Sequence, residues 1–177
     1  MKRIIGLTIG ALALVSLAIA ADKAGPTDPQ IAAIVVTANQ VDIDAGKLAQ
    51  STSKNADVKT FADQMIADHT AVNKSATDLV TKLKVTPEEN DTSKSLKKGG
   101  DDNLKNLKTL KGADFDRAYI DHEVTYHQDV INALDNTLIP NAKNKELKDL
   151  LVSVRPSFEA HLAHAKKVQA KLGQPGT

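Results

Sequence analysis

Four stretches of the chain repeat apolar residues at alternating steps of three and four positions. This spacing is typical of an amphipathic helix whose apolar stripe packs against other helices. The stripes are Ile31, Ile34, Ala38, Val41, Ala45 and Leu48; Val58, Phe61, Met65, Val72, Ala76, Leu79 and Leu83; Ile120, Val124, Ile131, Leu134 and Leu138; and Leu147, Leu151, Val154, Phe158, Ala165, Val168 and Leu172. Helix starts are expected after Thr27 and near Asn55, Asp114 and Asn144, where capping residues stand. The pattern predicts four helices of roughly 26–29 residues, each about 40 Å long.

The connections between these helices differ in length. Only a few residues around 53–55 join the first pair, and residues 140–143 join the second pair. Short links make antiparallel neighbours, whereas residues 84–113 are long enough to return along the bundle. We therefore predict an all-α, antiparallel, ferritin-like four-helix bundle with a long crossover between helices 2 and 3. The alternative is that residues 84–113 form only a polar loop.

The first twenty residues have the pattern of an export signal. Lys2 and Arg3 precede an uncharged apolar run that ends in Ala18-Ile19-Ala20. This is typical of a cleavable signal peptide, here cut after Ala20, and the run is short for a transmembrane anchor, which is the alternative. The predicted organisation is a signal peptide (1–20), a linker (21–27), the bundle (28–172) and a tail (173–177). We expect a periplasmic or secreted protein with no membrane span in its mature form.

The composition excludes several kinds of chemistry. The 177 residues contain no Cys, so thiolate metal sites, iron–sulfur clusters and cysteine nucleophiles are excluded. Lys and Arg (23) nearly balance Asp and Glu (22), and only 3% of residues are aromatic. A nucleic-acid partner is therefore not expected. Haem is not expected either, because the chain has no Cys-x-x-Cys-His motif and no Met–His pair placed for axial ligation.

Three of the five histidines interrupt the apolar stripes of three different helices. His69, His127 and His161 each lie near the middle of a predicted helix. A scattered residue falls on a stripe only about two times in seven, and mid-helix positions share one level in an antiparallel bundle. The three imidazoles should therefore converge in the core, where they either bind a metal or form a buried polar network that fixes the helix register.

Acidic residues lie close to these histidines in the sequence. Asp42 is at the same level of the first helix among small residues, so it is the predicted fourth metal ligand, with Asp44 as the alternative on the other flank. Glu123 precedes His127 by one turn and shares its face. Asp68 and Asn73 flank His69 on its helix. Asp68, Asn73, Glu123 and Asp44 are the predicted partners that orient the metal ligands through hydrogen bonds.

Several motifs along the chain resemble the bacterial domain-of-unknown-function family 4142. They are VDIDAGKLA at 41–49, VKTFA at 58–62, MIADH at 65–69 with Asn73, FDRAYI at 115–120 with Val124 and His127, and Pro156 followed by His161-Leu162. The resemblance covers about residues 28–172. It implies an exported, ferritin-like protein, and it implies no particular reaction. The family is often labelled "predicted outer membrane protein", and it usually has Glu where this chain has Asp42.

The histidine pattern differs from that of di-iron ferritins, which use Glu-x-x-His pairs. The residues three positions before the stripe histidines are Ile66, Val124 and Phe158. We therefore expect a single Zn, Cu, Ni or Fe ion, for storage, sensing or stress protection. The alternative is a non-catalytic envelope stress or interaction protein whose buried cluster is structural only. An enzyme is less favoured, and the sequence leaves the oligomeric state and any envelope partner open.

Overall fold

The computed structural model describes residues 25–173, which are helical and contain no strand. The helices are α1 (Asp28–Thr52), α2 (Ala56–Leu83), α3 (Asp91–Leu107), α4 (Gly112–Ala133), α5 (Ile139–Asn141) and α6 (Lys145–Leu172), and a π-helical turn (Leu134–Leu138) joins α4 to α5. The predicted all-α class is confirmed. The predicted signal peptide and most of the predicted linker and tail lie outside the described residues.

Side-chain caps define where the helices begin. The side chains of Asn55, Asn90 and Asn144 accept hydrogen bonds from backbone N–H groups in the first turns of α2, α3 and α6. These donors have no partner within their own helix, so each cap stabilises the helix start by about 1 kcal/mol. At α1, Thr27 and Gln30 form a reciprocal capping box. The starts of α2 and α6 agree with the sequence, whereas α4 begins two residues before the predicted Asp114.

The segment 84–113 contains a helix and is not only a polar loop. Its helix, α3, packs along α1. The contact is close because Gly100 faces Val41: a Cβ atom on Gly100 would lie 2.6 Å from a Val41 methyl carbon. The absence of a side chain at this position therefore lets the two helix backbones approach each other.

The other helices pack in two pairs that also contact each other. α1 packs against α2, α4 packs against α6, and α2 contacts α6. The carboxylate of Asp28, at the start of α1, accepts hydrogen bonds from the backbone N–H groups of Lys143 and Asn144. This contact ties the beginning of α1 to the beginning of α6.

Two apolar clusters divide the core along its length. The lower cluster is Ala45, Ala49, Val58, Phe61, Ala62, Met65, Leu107, Phe115, Tyr119, Ile120, Ala165 and Val168. The upper cluster is Ile31, Ile34, Val35, Ala76, Leu134, Leu138, Ala142, Leu147, Leu151 and Phe158. Along α1 and α6 the chain passes from the upper to the lower cluster, and along α2 and α4 it passes in the reverse direction. Every one of these helices thus crosses the boundary between the clusters near its middle.

Two prolines lie inside the helical segments. Pro156 is within α6, which continues from Lys145 to Leu172. Pro140 is within α5, directly after the π-helical turn. No helix within residues 25–173 combines the length and apolarity that a membrane span needs.

The contact between α3 and α1 can be tested with two neighbouring glycines. Gly100→Ala should destabilise the protein by about 1–3 kcal/mol, because the added methyl overlaps Val41. Gly99→Ala is the matched control: apart from the adjoining backbone of α3, no described atom lies within 4 Å of a Cβ there, so this change should stabilise α3 by about 0.5–1 kcal/mol. Urea denaturation measures both free energies of unfolding, and equal effects of the two substitutions would contradict the close packing.

Candidate metal centre

A buried polar layer lies where the four long helices cross from one apolar cluster to the other. It contains Asp42 from α1, His69 from α2, His127 from α4 and His161 from α6, each at most 2% exposed. One nitrogen from each imidazole lies within 4.8 Å of the other two. The ring centroids of the three histidines are 5.2–5.6 Å apart. The structure therefore brings together all four residues that the sequence singles out as candidate metal ligands.

The His69 ring is oriented by an asparagine of the neighbouring helix. Its Nδ1 lies 2.7 Å from Oδ1 of Asn39 on α1. The amide nitrogen of Asn39 donates to the backbone carbonyl of Val35, so its oxygen is the atom that faces the ring. Nδ1 of His69 is therefore the donor, and Nε2 carries the lone pair.

The other two rings are also held through one nitrogen each. Nδ1 of His127 donates to the backbone carbonyl of Glu123, at 3.0 Å. Nε2 of His161 donates to Oδ2 of Asp68 on α2, at 2.8 Å. Metal-binding histidines usually have such a hydrogen bond on the ring nitrogen that does not bind the metal, here called the outer nitrogen. The bond fixes the tautomer and the ring orientation.

Burial keeps all three imidazoles neutral at neutral pH. It lowers the pKa of His69 to about 2, with further contributions from His127 and His161. Burial likewise lowers the pKa of His127 to about 4, and it lowers the pKa of His161. Each ring therefore carries one proton, and the acceptors described above place it on the outer nitrogen. The inner nitrogens are Nε2 of His69, Nε2 of His127 and Nδ1 of His161, and each is buried without a hydrogen-bond partner among residues 25–173.

The Asp42 carboxylate faces two of these lone pairs. Its Oδ2 lies 3.1 Å from Nε2 of His69 and 3.5 Å from Nε2 of His127. All three atoms are acceptors, so the contacts are repulsive unless a proton or a cation lies between them. Burial, and then the nearby Glu123, raise the pKa of Asp42 well above its usual value. Three neutral imidazole nitrogens and one carboxylate oxygen form a donor set suited to Zn, Cu, Ni or Fe.

Glu123 contributes a second buried carboxylate to this layer. Its Oε2 lies 3.5 Å from Nδ1 of His127, and its side chain is 1% exposed. Burial raises the pKa of Glu123 to about 8. Glu123 is predicted from the sequence to orient His127. Its backbone carbonyl does hold that ring, while its carboxylate lies inside the cluster.

The remaining predicted partners lie in different places. Asp68 contacts His161 across the helix interface instead of His69, its neighbour in sequence. Asn73 makes no hydrogen bond to His69 within the described chain, and its Oδ1 is buried without a partner there. Asp44 accepts a hydrogen bond from Gln40 at the edge of α1, away from the histidines.

Sequence reasoning missed Asn39, which orients His69. A signal was available, because Asn39 is a polar residue three positions before Asp42. It therefore lies on the same face of α1, among apolar residues that are buried. The other two histidines, His122 and His164, are both half-buried and lie outside the three-histidine group found among residues 25–173.

An apolar cavity reaches the polar layer from one side. Its volume is about 560 Å³, and it meets the layer at His69 and Asn39. Aliphatic and aromatic side chains line most of it, including Ile34, Val35, Val72, Leu134 and Phe158. The exposed Asp91 and Asp129 also line it. The cavity keeps the surroundings of His69 apolar, and these acidic groups favour the approach of cations.

The comparisons with known proteins agree with this fold. The sequence profile of a family described as "Domain of unknown function (DUF4142)" matches residues 14–168. The chain belongs to this family. The predicted membership is thus confirmed over most of the sequence. No curated protein matches this DUF4142 chain.

Two solved structures resemble the DUF4142 chain in fold. One is the crystal structure of a DUF305 protein from Streptomyces coelicolor that is assigned as secreted; it has 13% sequence identity and a TM-score of 0.67, and covers 84% of this chain and 94% of that one. The other is CopM in the Cu(II)-bound form, with 18% identity and a TM-score of 0.63, covering 83% of this chain and 98% of that one. At these identities the likeness concerns the fold.

The raised pKa of Glu123 predicts a pH dependence of the metal-free protein. An unfolded Glu releases its proton near pH 4.3, whereas folded Glu123 releases it at about 8. Between these values the folded state holds the extra proton, so rising pH lowers the stability by up to about 1.4 kcal/mol per pH unit. Glu123→Gln removes this contribution. The variant should gain stability relative to the parent between pH 5.5 and 8.5, measured by urea denaturation of chelator-treated protein. A pH-independent difference would contradict the buried, protonated carboxyl.

Proposed function

We propose that this DUF4142 protein binds a transition metal ion in its core, for storage, sensing or stress protection. The proposed ligands are Nε2 of His69, Nε2 of His127, Nδ1 of His161 and Oδ2 of Asp42. The observation that carries the proposal is that three buried imidazoles converge, each with one unpaired nitrogen, and that two of these nitrogens face the Asp42 carboxylate, while the outer nitrogen of every ring is held by a hydrogen bond.

A cation would convert the unfavourable contacts in this layer into favourable ones. The Asp42 oxygen and the two imidazole nitrogens near it repel each other as acceptors, and the same lone pairs attract a positive ion. Removing such groups from water without a partner destabilises a protein by about 1–3 kcal/mol for each group. Binding a metal supplies that partner, so the metal-bound state should be the more stable one.

The donor set restricts the identity of the ion. Three imidazoles and a carboxylate suit Zn, Cu, Ni and Fe, whereas Ca and Mg prefer oxygen ligands. CopM, whose fold is similar, is described in a Cu(II)-bound form, and this favours copper as the first ion to test. The three histidines and Asp42 come from four helices, so the ion would also hold these helices in register.

We also propose the finer architecture that the sequence predicts. α1, α2, α4 and α6 would form an antiparallel, ferritin-like four-helix bundle over residues 28–172, with residues 84–113 as the crossover that carries α3. The reversed order of the two apolar clusters along α2 and α4 supports this arrangement. A crystal structure with α3 outside the bundle, along α1, is the expected result.

Export is proposed from the sequence of residues 1–20. The positive start, the apolar run and Ala18-Ile19-Ala20 support a cleavable signal peptide, and the similar DUF305 protein is assigned as secreted. Intact-mass measurement on protein recovered from the periplasm of expressing cells should show a chain beginning at Ala21. A full-length chain retained in the cytoplasm would contradict this proposal.

Metal binding can be tested with one histidine inside the cluster and one outside it. Protein purified without an affinity tag, then titrated with Cu²⁺ and Zn²⁺, should bind tightly. An ion at a free concentration 100 times its dissociation constant should stabilise it by about 2.7 kcal/mol. His161→Gln should weaken binding and abolish this stabilisation. His164→Gln is the matched control, because His164 lies one turn further along α6, is half-buried, and pairs with Gln64.

The alternative function makes the opposite prediction. If the cluster is structural only, chelation leaves the melting temperature unchanged, and the His161 and His164 variants bind added metal equally. That pair of results would contradict the proposed metal site and favour a non-catalytic envelope stress or interaction protein.

A further inference from the structure

Several buried polar atoms near the proposed metal site are not among its proposed ligands. These are Oδ1 of Asp42, both carboxylate oxygens of Glu123, the hydroxyl of Tyr119 and Nδ1 of His122; all lack a hydrogen-bond partner within the described chain. Buried polar groups in folded proteins are almost always paired. A concentration of unpaired atoms beside one residue, Glu123, therefore needs an explanation of its own.

The helical spacing of α4 brings three of these groups to one face. Tyr119, His122 and Glu123 stand at positions i, i+3 and i+4, which are neighbours on a helix surface. Oε1 of Glu123 lies 3.9 Å from Nδ1 of His122. One oxygen of Glu123, one oxygen of Asp42 and one nitrogen of His127 lie within 4.8 Å of each other.

The outer nitrogen of His127 does not satisfy Glu123. It already donates to the backbone carbonyl of Glu123 at 3.0 Å, and the carboxylate oxygen is further away, at 3.5 Å. In the ionised form that binds a cation, Asp42 offers only acceptor atoms and cannot donate to Glu123 either. Among the described residues, therefore, the Glu123 carboxylate faces other acceptors and a half-buried histidine, and no cationic side chain pairs with it.

We propose that a second divalent cation binds between Asp42 and Glu123, with Tyr119 and His122 as further ligands. The two oxygens of Asp42 would then contact one ion each, and paired ions in proteins are about 3.5–4 Å apart. The new site is richer in oxygen than the three-histidine site, so it accepts harder cations such as Mn²⁺ or Fe²⁺ as well as Cu²⁺, which binds a given nitrogen and oxygen site more tightly than either. Coordination would favour loss of the Tyr119 proton, which offsets part of the added charge. The inference rests on the proposed function, because the two ions share Asp42.

The number of ions bound per chain tests this proposal. Tag-free protein is stripped with a chelator, saturated with Cu²⁺ alone and freed of excess ion by dialysis. Elemental analysis should then give two Cu per chain, and electron paramagnetic resonance should show the half-field signal of two neighbouring Cu(II) ions. Glu123→Gln should bind one Cu per chain and lose the half-field signal.

Asp116→Asn provides the matched control. Asp116 is another carboxylate of α4, is 7% exposed, and has a buried oxygen without a partner in the described residues. It is not part of the groups that could hold an ion among those residues. This variant should keep both copper ions and the half-field signal.

Different failures have different meanings. One Cu per chain in both the parent and Glu123→Gln would overturn the second site but not the three-histidine site. Two Cu per chain in both proteins would have the same meaning, because the second ion would then not need Glu123. No bound Cu in the parent would overturn the proposed function itself. If Glu123→Gln does not fold, His122→Gln, at the half-buried edge of the cluster, should still reduce the copper content below two per chain. An unchanged content in that variant would contradict the proposal.

Discussion

The cost of burying polar atoms without partners is the constraint on which the rest of this structure depends. Three imidazole lone pairs and two carboxylates occupy a layer that apolar clusters enclose above and below. Hydrophobic burial holds the four long helices together, but it does not favour these groups in the core. They are tolerated only when protons or cations lie between them. The layer is therefore the part of the protein whose stability depends most on its ionic surroundings.

Hydrogen bonds across helix interfaces fix the orientation of the imidazole rings in this layer. Asn39 of α1 holds the His69 ring of α2, and Asp68 of α2 holds the His161 ring of α6. These hydrogen bonds to the outer nitrogens link α1 to α2 and α2 to α6, while the inner nitrogens of His69 and His127 face Asp42. A site built on rigid helices with the rotation of each ring fixed in advance loses little conformational freedom when an ion binds.

The apolar cavity adds a second property to the layer. Acidic residues and apolar side chains line it, and it ends at His69, so it reaches the layer through mostly apolar surroundings. A low dielectric strengthens any attraction between the donor set and a cation. The likeness to CopM and to the DUF305 protein concerns the helical fold, and the case for a metal in this chain rests on its own atoms.

The sequence by itself determined the four long helices, the caps of α2 and α6 and the level of the three histidines, because periodicity and capping are local properties of the chain. It also indicated Asp42. Only the tertiary structure decided that Asp68 supports His161, that Asn39 supports His69, and that the Glu123 carboxylate joins the cluster. The position of a residue in the apolar stripe shows which face of its helix the side chain occupies. These contacts depend in addition on how each helix is rotated about its axis and shifted along its neighbour. That offset is set by the packing of both apolar clusters together, including the close approach of α3 at Gly100, and no local pattern contains it.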